Sequence, residues 1–253
     1  MKLWSSFFFA LSLCSWALAD FRIWEDVKGT RYKAEFIQEL FGKISLRDEN
    51  GKEFRLAMEE LSELDQKYLR VKVAPEIEIN FSKKSSMQPR PKEANNVDQS
   101  VVMIVTGEVT LKKVSTRPYT SRLYAELYLI GKDIQDGNYL LLSKTESNFL
   151  FKELGGDVHT FVSEPVKPRL FNEIGGARRG ENYEGYLIVV RDFEDKIVAV
   201  KTDMKEWITT PDVINSIRET YSRGAGSLRS RYFDKTGKKA PVPHVLYYVP
   251  RQK

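Results

Sequence analysis

The sequence predicts a mainly β protein, with a small β module followed by a β-sandwich-like domain that carries one helix. Short runs in which apolar and polar residues alternate recur along the chain. Gly, Asn and Asp turn residues separate them. Only the stretch from Thr210 to Gly224 combines a helical period with signals at both ends. A composition of 42% hydrophobic, 12% aromatic and 30% charged residues belongs to a folded chain and excludes a disordered tail.

The first residues read as a leader. Met1-Lys2 is a positive start, Leu3 to Trp16 is almost wholly apolar or small, and Ala17-Leu18-Ala19 before Asp20 fits the small-x-small cleavage rule. Residues 1–19 are therefore expected to be a signal peptide, and the mature protein to be secreted or periplasmic. The segment is shorter than the roughly 20 apolar residues a membrane span needs, and nothing later approaches that length, so no span is expected. Cys14, the one cysteine, lies inside the leader, and Leu13 before it does not fit a lipoprotein signal. A mature chain without cysteine has no disulfide, cysteine metal site or thiol nucleophile.

Residues 20–74 form the small module. Tyr32, Ala34 and Phe36, then Ile44 and Leu46, alternate with polar residues as a half-buried strand does. Asn50-Gly51 sits between the runs Lys43–Arg47 and Glu53–Leu56, and that pair tolerates the positive φ angles of a type I′ hairpin. Ser62 with Asp65 three residues on predicts the cap of a short helix that ends the module.

The motif Arg22-x-Trp24, Ala34-Glu35-Phe36, Asn50-Gly51, Leu61-Ser62 and Asp65-x-x-Tyr68, in that order, resembles the first homology domain of the SLA-one endocytic adaptor family. The resemblance covers residues 21–73 and implies a Src-homology-three-like barrel that binds peptides, in eukaryotic members an Asn-Pro-Phe-x-Asp signal, within adaptors linked to the cytoskeleton. This hairpin reads Arg47-Asp48-Glu49-Asn50-Gly51-Lys52-Glu53, so an acidic peptide would meet like charges, and a changed ligand on a kept scaffold is expected. The candidate peptide-contacting residues are Trp24, Phe36, Arg47, Asn50, Lys52 and Tyr68. Trp24, Phe36, Leu46 and Leu61 read first as the core of the barrel, and of these Trp24, near the module's start, is the best candidate for a partly exposed aromatic contact.

Pro75 begins a change of texture, and residues 75–98, with Ser82-Lys83-Lys84-Ser85-Ser86 and Pro89-Arg90-Pro91-Lys92, read as a linker. From 99 to 253 the pattern is again β-rich. Val101–Val105 is a continuous apolar run, and Arg122–Ile130 alternates with Leu123, Ala125, Leu127 and Leu129 on one side and Tyr124, Glu126 and Tyr128 on the other. Further strands are expected at Tyr139–Leu142, Asn148–Phe151, Val158–Val162, Tyr186–Val190, Ile197–Val200 and Val245–Val249, a series that suits a β-sandwich. Asp136-Gly137-Asn138 and Asp192–Asp195 read as turns, and Gly175–Gly180 as a surface loop. Thr210 as cap, Pro211 at the first helical position, and Val213, Ile214, Ile217 and Tyr221 along one face predict the helix.

No reaction is written in the chain. There is no Gly-x-Ser-x-Gly, the histidines His159 and His244 each stand alone, and no His-x-x-x-His spacing occurs, so neither metal nor cofactor is expected. Thr236-Gly237-Lys238-Lys239 lacks the first glycine of a phosphate loop. Glu126, mid-strand, is the carboxylate to inspect for glycoside chemistry. From Arg218 to Lys253 nine Lys or Arg stand against two Asp or Glu, so this segment could meet an anionic polymer. Nucleic acid is not the expected partner. The reading is an exported, non-enzymatic protein-binding or adaptor protein acting through its N-terminal barrel. The alternative is a carbohydrate or envelope-polymer binder acting through the C-terminal domain, with Tyr124, Tyr128 and Trp207 as platforms.

Overall fold

Antiparallel ladders dominate the computed structural model, which describes residues 21–88, 100–151, 156–172, 178–208, 210–222 and 232–241. The protein is mainly β, and the chain divides into two units between Tyr68 and Leu69. The expected leader, the expected strand Val245–Val249 and most of the basic C-terminal segment lie outside the described residues.

In the first unit, β1 (Arg22–Glu25), β2 (Arg31–Leu40), β3 (Lys43–Asp48) and β4 (Glu53–Ala57) pair in sequence order. Register sets Phe36 opposite Leu46 and Leu46 opposite Phe54, which gathers the apolar side chains on one face. Trp24, Ala34, Ile44 and Leu46 are fully buried there. A 3-10 turn at Met58–Glu60 brings the chain back to β1, where Val27 donates to the Glu60 carbonyl and Ser62 to the Glu25 carbonyl, each at 2.8 Å. Helix α1 (Glu63–Val71) follows, with the Asp65 N–H donated to Ser62 Oγ at 3.2 Å as the cap pattern predicts.

The hairpin at Asn50-Gly51 is not the type I′ turn that the pair suggests. Only Gly51 has a positive φ, +78°, and Asp48 pairs with Lys52 around a three-residue loop, the pattern of a type I turn closed by a glycine bulge. Asp48 Oδ1 explains the choice, since it accepts the N–H groups of Asn50 at 2.9 Å and Lys52 at 2.8 Å. The same five-residue device, an aspartate accepting from two and four residues on, recurs at Asp26, Asp192 and Asp234. Burial alone would raise the Asp26 carboxyl, but hydrogen bonds from Thr30, Tyr32 and Lys28 outweigh it and hold it below its ordinary value.

In the second unit, β5 (Ile77–Met87), β6 (Ser100–Lys113), β7 (Leu123–Asp133), β8 (Tyr139–Phe149), β9 (Val158–Val162), β10 (Arg169–Asn172), β11 (Arg178–Arg191), β12 (Ile197–Thr202) and β13 (Tyr232–Phe233) join into one branched antiparallel sheet. Residues 77–87 are thus a strand, not linker, paired along their whole length with Met103–Lys113. The two expected strands Tyr139–Leu142 and Asn148–Phe151 merge into β8, apart from its last two residues, and Arg178–Gly180 of the expected loop belong to β11. β10 pairs with both β6 and β11, and so turns the sheet from one layer into the other.

The layers are sandwich-like. Ile79, Val109 and Leu111 from β5 and β6 share a core with Leu123, Leu127, Ile188 and Val190 from β7 and β11. The opposite face of β7 and β11 is covered too: Tyr128, Leu187 and Val189 pack with Ile214 and Ile217 of α2 (Pro211–Ser222) and with Phe233. This second cover explains why β7 is buried on both faces rather than half-buried.

Replacing Gly51 by alanine should cost about 1 kcal/mol, because a Cβ is strained at that φ while nothing crowds the position. Urea unfolding of the variant beside the parent measures it.

Candidate functional site

Five residues of the N-terminal motif gather around the carboxylate of a sixth, two of them bonded to it directly. Asp65 is 3% exposed. Its Oδ1 accepts from Arg22 Nη2 at 2.5 Å, and its Oδ2 accepts from the Glu25 N–H at 2.7 Å and from Ser62 Oγ at 3.1 Å. The Arg22 guanidinium carbon stands 3.7 Å from the centre of the Tyr68 ring and 4.5 Å from that of Trp24, a cation held over two aromatic faces. Trp24 meets Tyr68 edge-on at 5.9 Å and donates its indole N–H to the Ala34 carbonyl at 2.9 Å. Arg22, Trp24, Ala34, Ser62, Asp65 and Tyr68 therefore form a latch that ties β1 to α1.

The latch reassigns the candidate contacts. Trp24 is fully buried, which agrees with the core reading and rules it out as a partly exposed contact. Phe36 and Tyr68 are half-buried beside it, Phe36 at 6.3 Å from the Trp24 ring. Arg47 lies on the opposite face, ion-paired across the sheet with Glu35 at 3.1 Å and Glu53 at 2.8 Å. Its charge is spent between those neighbours. Asn50 and Lys52 are exposed at the hairpin. The six residues do not form one surface.

The residue that sequence reasoning missed is Phe41. It joins β2 to β3 with Gly42, both at positive φ, +53° and +75°, the signature of a type I′ turn. A bulky side chain rarely accepts this backbone, and the phenyl is 91% exposed next to Leu40, itself 43% exposed. A glycine directly after a bulky residue between two strands was the available signal.

In the second unit, Glu126 is 2% exposed and receives three cations. Lys144 Nζ and Arg191 Nη2 each reach Oε1 at 2.9 Å, and Arg218 Nε of α2 reaches Oε2 at 3.0 Å. Asp195 pairs with Arg191 and Arg218, and Glu146 with Lys144, so three acids balance three bases. Burial alone would raise the Glu126 carboxyl, but Lys144 above all, with Arg191 and Arg218, holds it below its ordinary value of 4.5. Glu126 therefore stays ionised with both oxygens bonded. That is the state of a structural ion network, not of a proton donor for glycoside cleavage.

The three aromatic platforms do not assemble either. Tyr128 is fully buried, Trp207 packs at 4.6 Å against Tyr139 and at 6.0 Å against Phe233, and Tyr124 alone is exposed, at 37%. His159 stacks on Phe149 at 4.4 Å and shares a 2.8 Å hydrogen bond with Ser147 Oγ. Burial lowers its pKa, which keeps the ring neutral. Among the described residues no group of three or more His, Cys, Asp or Glu is placed to hold a metal, and no helix is long and apolar enough to cross a membrane.

Asp65→Ala should cost about 3 kcal/mol, because it strands the Arg22 charge and takes the acceptor from the Glu25 N–H and the Ser62 hydroxyl. Equilibrium unfolding followed by Trp24 fluorescence reads it. Glu126→Gln should likewise cost about 3 kcal/mol at neutral pH. Because the Glu126 pKa is lowered on folding, the parent's advantage is full above the ordinary value of 4.5 and disappears as the pH falls through the lower folded value. Unfolding midpoints of parent and variant across that range check it.

No family model matches the chain, and no curated protein matches it. Among solved structures, a crystal structure from Akkermansia muciniphila is similar at 16% identity and a TM-score of 0.22, covering 55% of this chain and 79% of that one. A β-glucosidase from Listeria innocua in complex with isofagomine is similar at 16% identity and a TM-score of 0.22, covering 51% of this chain and 16% of that one. A β-D-glucoside glucohydrolase from Trichoderma reesei is similar at 14% identity and a TM-score of 0.24, covering 51% and 18%. TM-scores this low carry no information about fold or activity.

Proposed function

We propose that the first unit is a Src-homology-three-like barrel that recognises a protein or peptide surface, within an exported, non-enzymatic protein. The barrel reading is supported by the return of the chain after the 3-10 turn, where Leu61 forms one isolated antiparallel bridge with Asp26, just past the end of β1. It is supported also by the Asp65 latch, since Arg22, Trp24, Ala34, Ser62, Asp65 and Tyr68, six of the residues that carry the resemblance to the SLA-one family, tie β1 to α1.

The observation that carries the recognition reading is Phe41. An aromatic ring kept in water forgoes about 2 kcal/mol of burial, and its backbone is strained by about a further 1 kcal/mol. The Gly42 N–H donated to Glu39 Oε1 and the Gly42 carbonyl accepting from Met58, each at 2.9 Å, hold the turn, but the ring stays exposed among the described residues. A ring held outward on a two-residue turn is pre-organised to bury itself against a partner, and little freedom is lost when it does. Arg47, held between Glu35 and Glu53, gives the neighbouring face no net positive charge for an acidic peptide. The ligand of this barrel is therefore chosen by apolar contact.

The intact chain carrying Phe41→Ser tests the reading in a pull-down from an envelope extract of the source cell. The variant should keep or raise the parent's thermal midpoint and lose the parent's protein partners. A variant that retains every partner would show that the Phe41 turn is not the contact.

A further inference from the structure

A groove of about 630 Å³ runs along the second unit between β12 and α2. Ile197 and Val200 of β12 form one wall, and the buried Ile208 completes the apolar lining with Pro211 and Ile214 of the helix. Asn215 and Arg218 continue the helix wall, so residues 211, 214, 215 and 218 present a single face, as i, i+3, i+4 and i+7 must. The volume is in the range that small ligands and peptide side chains occupy.

The strand wall is an open edge. β12 pairs with β11 alone among the described residues, so the main-chain polar groups along its other side have no ladder partner. Open edges are commonly guarded by charge. On the edge strand β5 the outer half carries Lys83 and Lys84, both exposed. β12 is guarded differently: Lys201 is drawn away to the Ile79 carbonyl at 2.5 Å, and apolar Ile197 and Val200 face the groove instead.

Charge at the groove is asymmetric. Asp195 is neutralised by Arg191 and Arg218, and Arg218 is further held by Glu126 and by the Asn215 carboxamide at 3.1 Å. Lys196, exposed just before β12, has no ion-pair partner among the described residues and is the uncompensated charge of the lining.

We propose that this groove binds an extended peptide segment of a partner protein, added as a strand along β12, with apolar side chains between the strand and α2 and an acidic residue at Lys196. Main-chain hydrogen bonds to the open edge supply affinity, and every second side chain of the added strand enters the groove. The edge Ile197–Thr202 is about 20 Å long at 3.3 Å per residue, which suits a peptide of about six residues. The acidic position fixes direction, since only one end of the edge carries the free lysine. This site stands apart from the Phe41 reading and does not depend on it.

The test is fluorescence anisotropy of a labelled hexapeptide amide, Val-Thr-Val-Thr-Val-Glu, titrated with the intact chain. Saturable binding is expected, weakened about tenfold or more when alternate peptide nitrogens are methylated, because two edge hydrogen bonds are then lost. Lys196→Glu should weaken it several-fold, and exchange of the peptide's glutamate for lysine should restore it. Lys196 is exposed and unpaired, so the variant's thermal midpoint should equal the parent's. No saturation by about 1 mM overturns the proposal. Binding indifferent to methylation overturns it in favour of a simple apolar cavity, and binding indifferent to the charge exchange removes the acidic residue from the ligand.

Discussion

A carboxylate withdrawn from water costs several kcal/mol unless its oxygens are bonded on every side, and the first unit is organised around meeting that cost at Asp65. Its oxygens take an arginine, a main-chain N–H from β1 and the hydroxyl that caps α1. The same arginine closes over the rings of Trp24 and Tyr68. A unit of roughly 50 residues has little apolar area to bury, so a polar knot that joins its first strand to its last helix does more here than it would in a larger domain. Removing any member exposes the others, which ties the motif together as a set.

The larger unit uses the same chemistry for another purpose. Glu126 sits between strands β7, β8 and β11, which supply two of its cations, and α2, which supplies the third. The helix is thereby fixed over an apolar face that would otherwise meet water, and the wall it presents to β12 is fixed with it. In both units a buried acid specifies where a helix lies against a sheet. Apolar packing supplies the free energy, and the acid selects the arrangement.

Local order was legible where one face of an element decides it. Val158–Val162 has the limits read from alternation, and Thr210-Pro211 opens α2 as its cap pattern says. Residues that answer to distant partners were not legible. β5 looks like linker because its outer half is an exposed edge, so its Lys and Ser residues carry no apolar period although every one of its positions is paired. The two faces of β7 could not be told from one buried face until α2 was known to cover the second. Trp24 is a contact or a core residue depending on Arg22, Ala34 and Tyr68, the last 44 positions away in the sequence. At Phe41 the sole signal was the glycine that follows it, since nothing in a phenylalanine announces the sign of φ.

The hairpin at Asp48 also bears on how the protein ages. An Asn-Gly pair is the sequence most open to spontaneous deamidation, in which the glycine nitrogen attacks the asparagine carboxamide and closes a succinimide. Here the Gly51 N–H is donated to the Asp48 carbonyl at 3.0 Å and the Asn50 N–H to its carboxylate at 2.9 Å, so the nitrogen is occupied and the loop cannot readily swing into the ring geometry. The aspartate that selects the turn is thus also a preservative. While the turn stays closed, this exposed amide is protected from that attack.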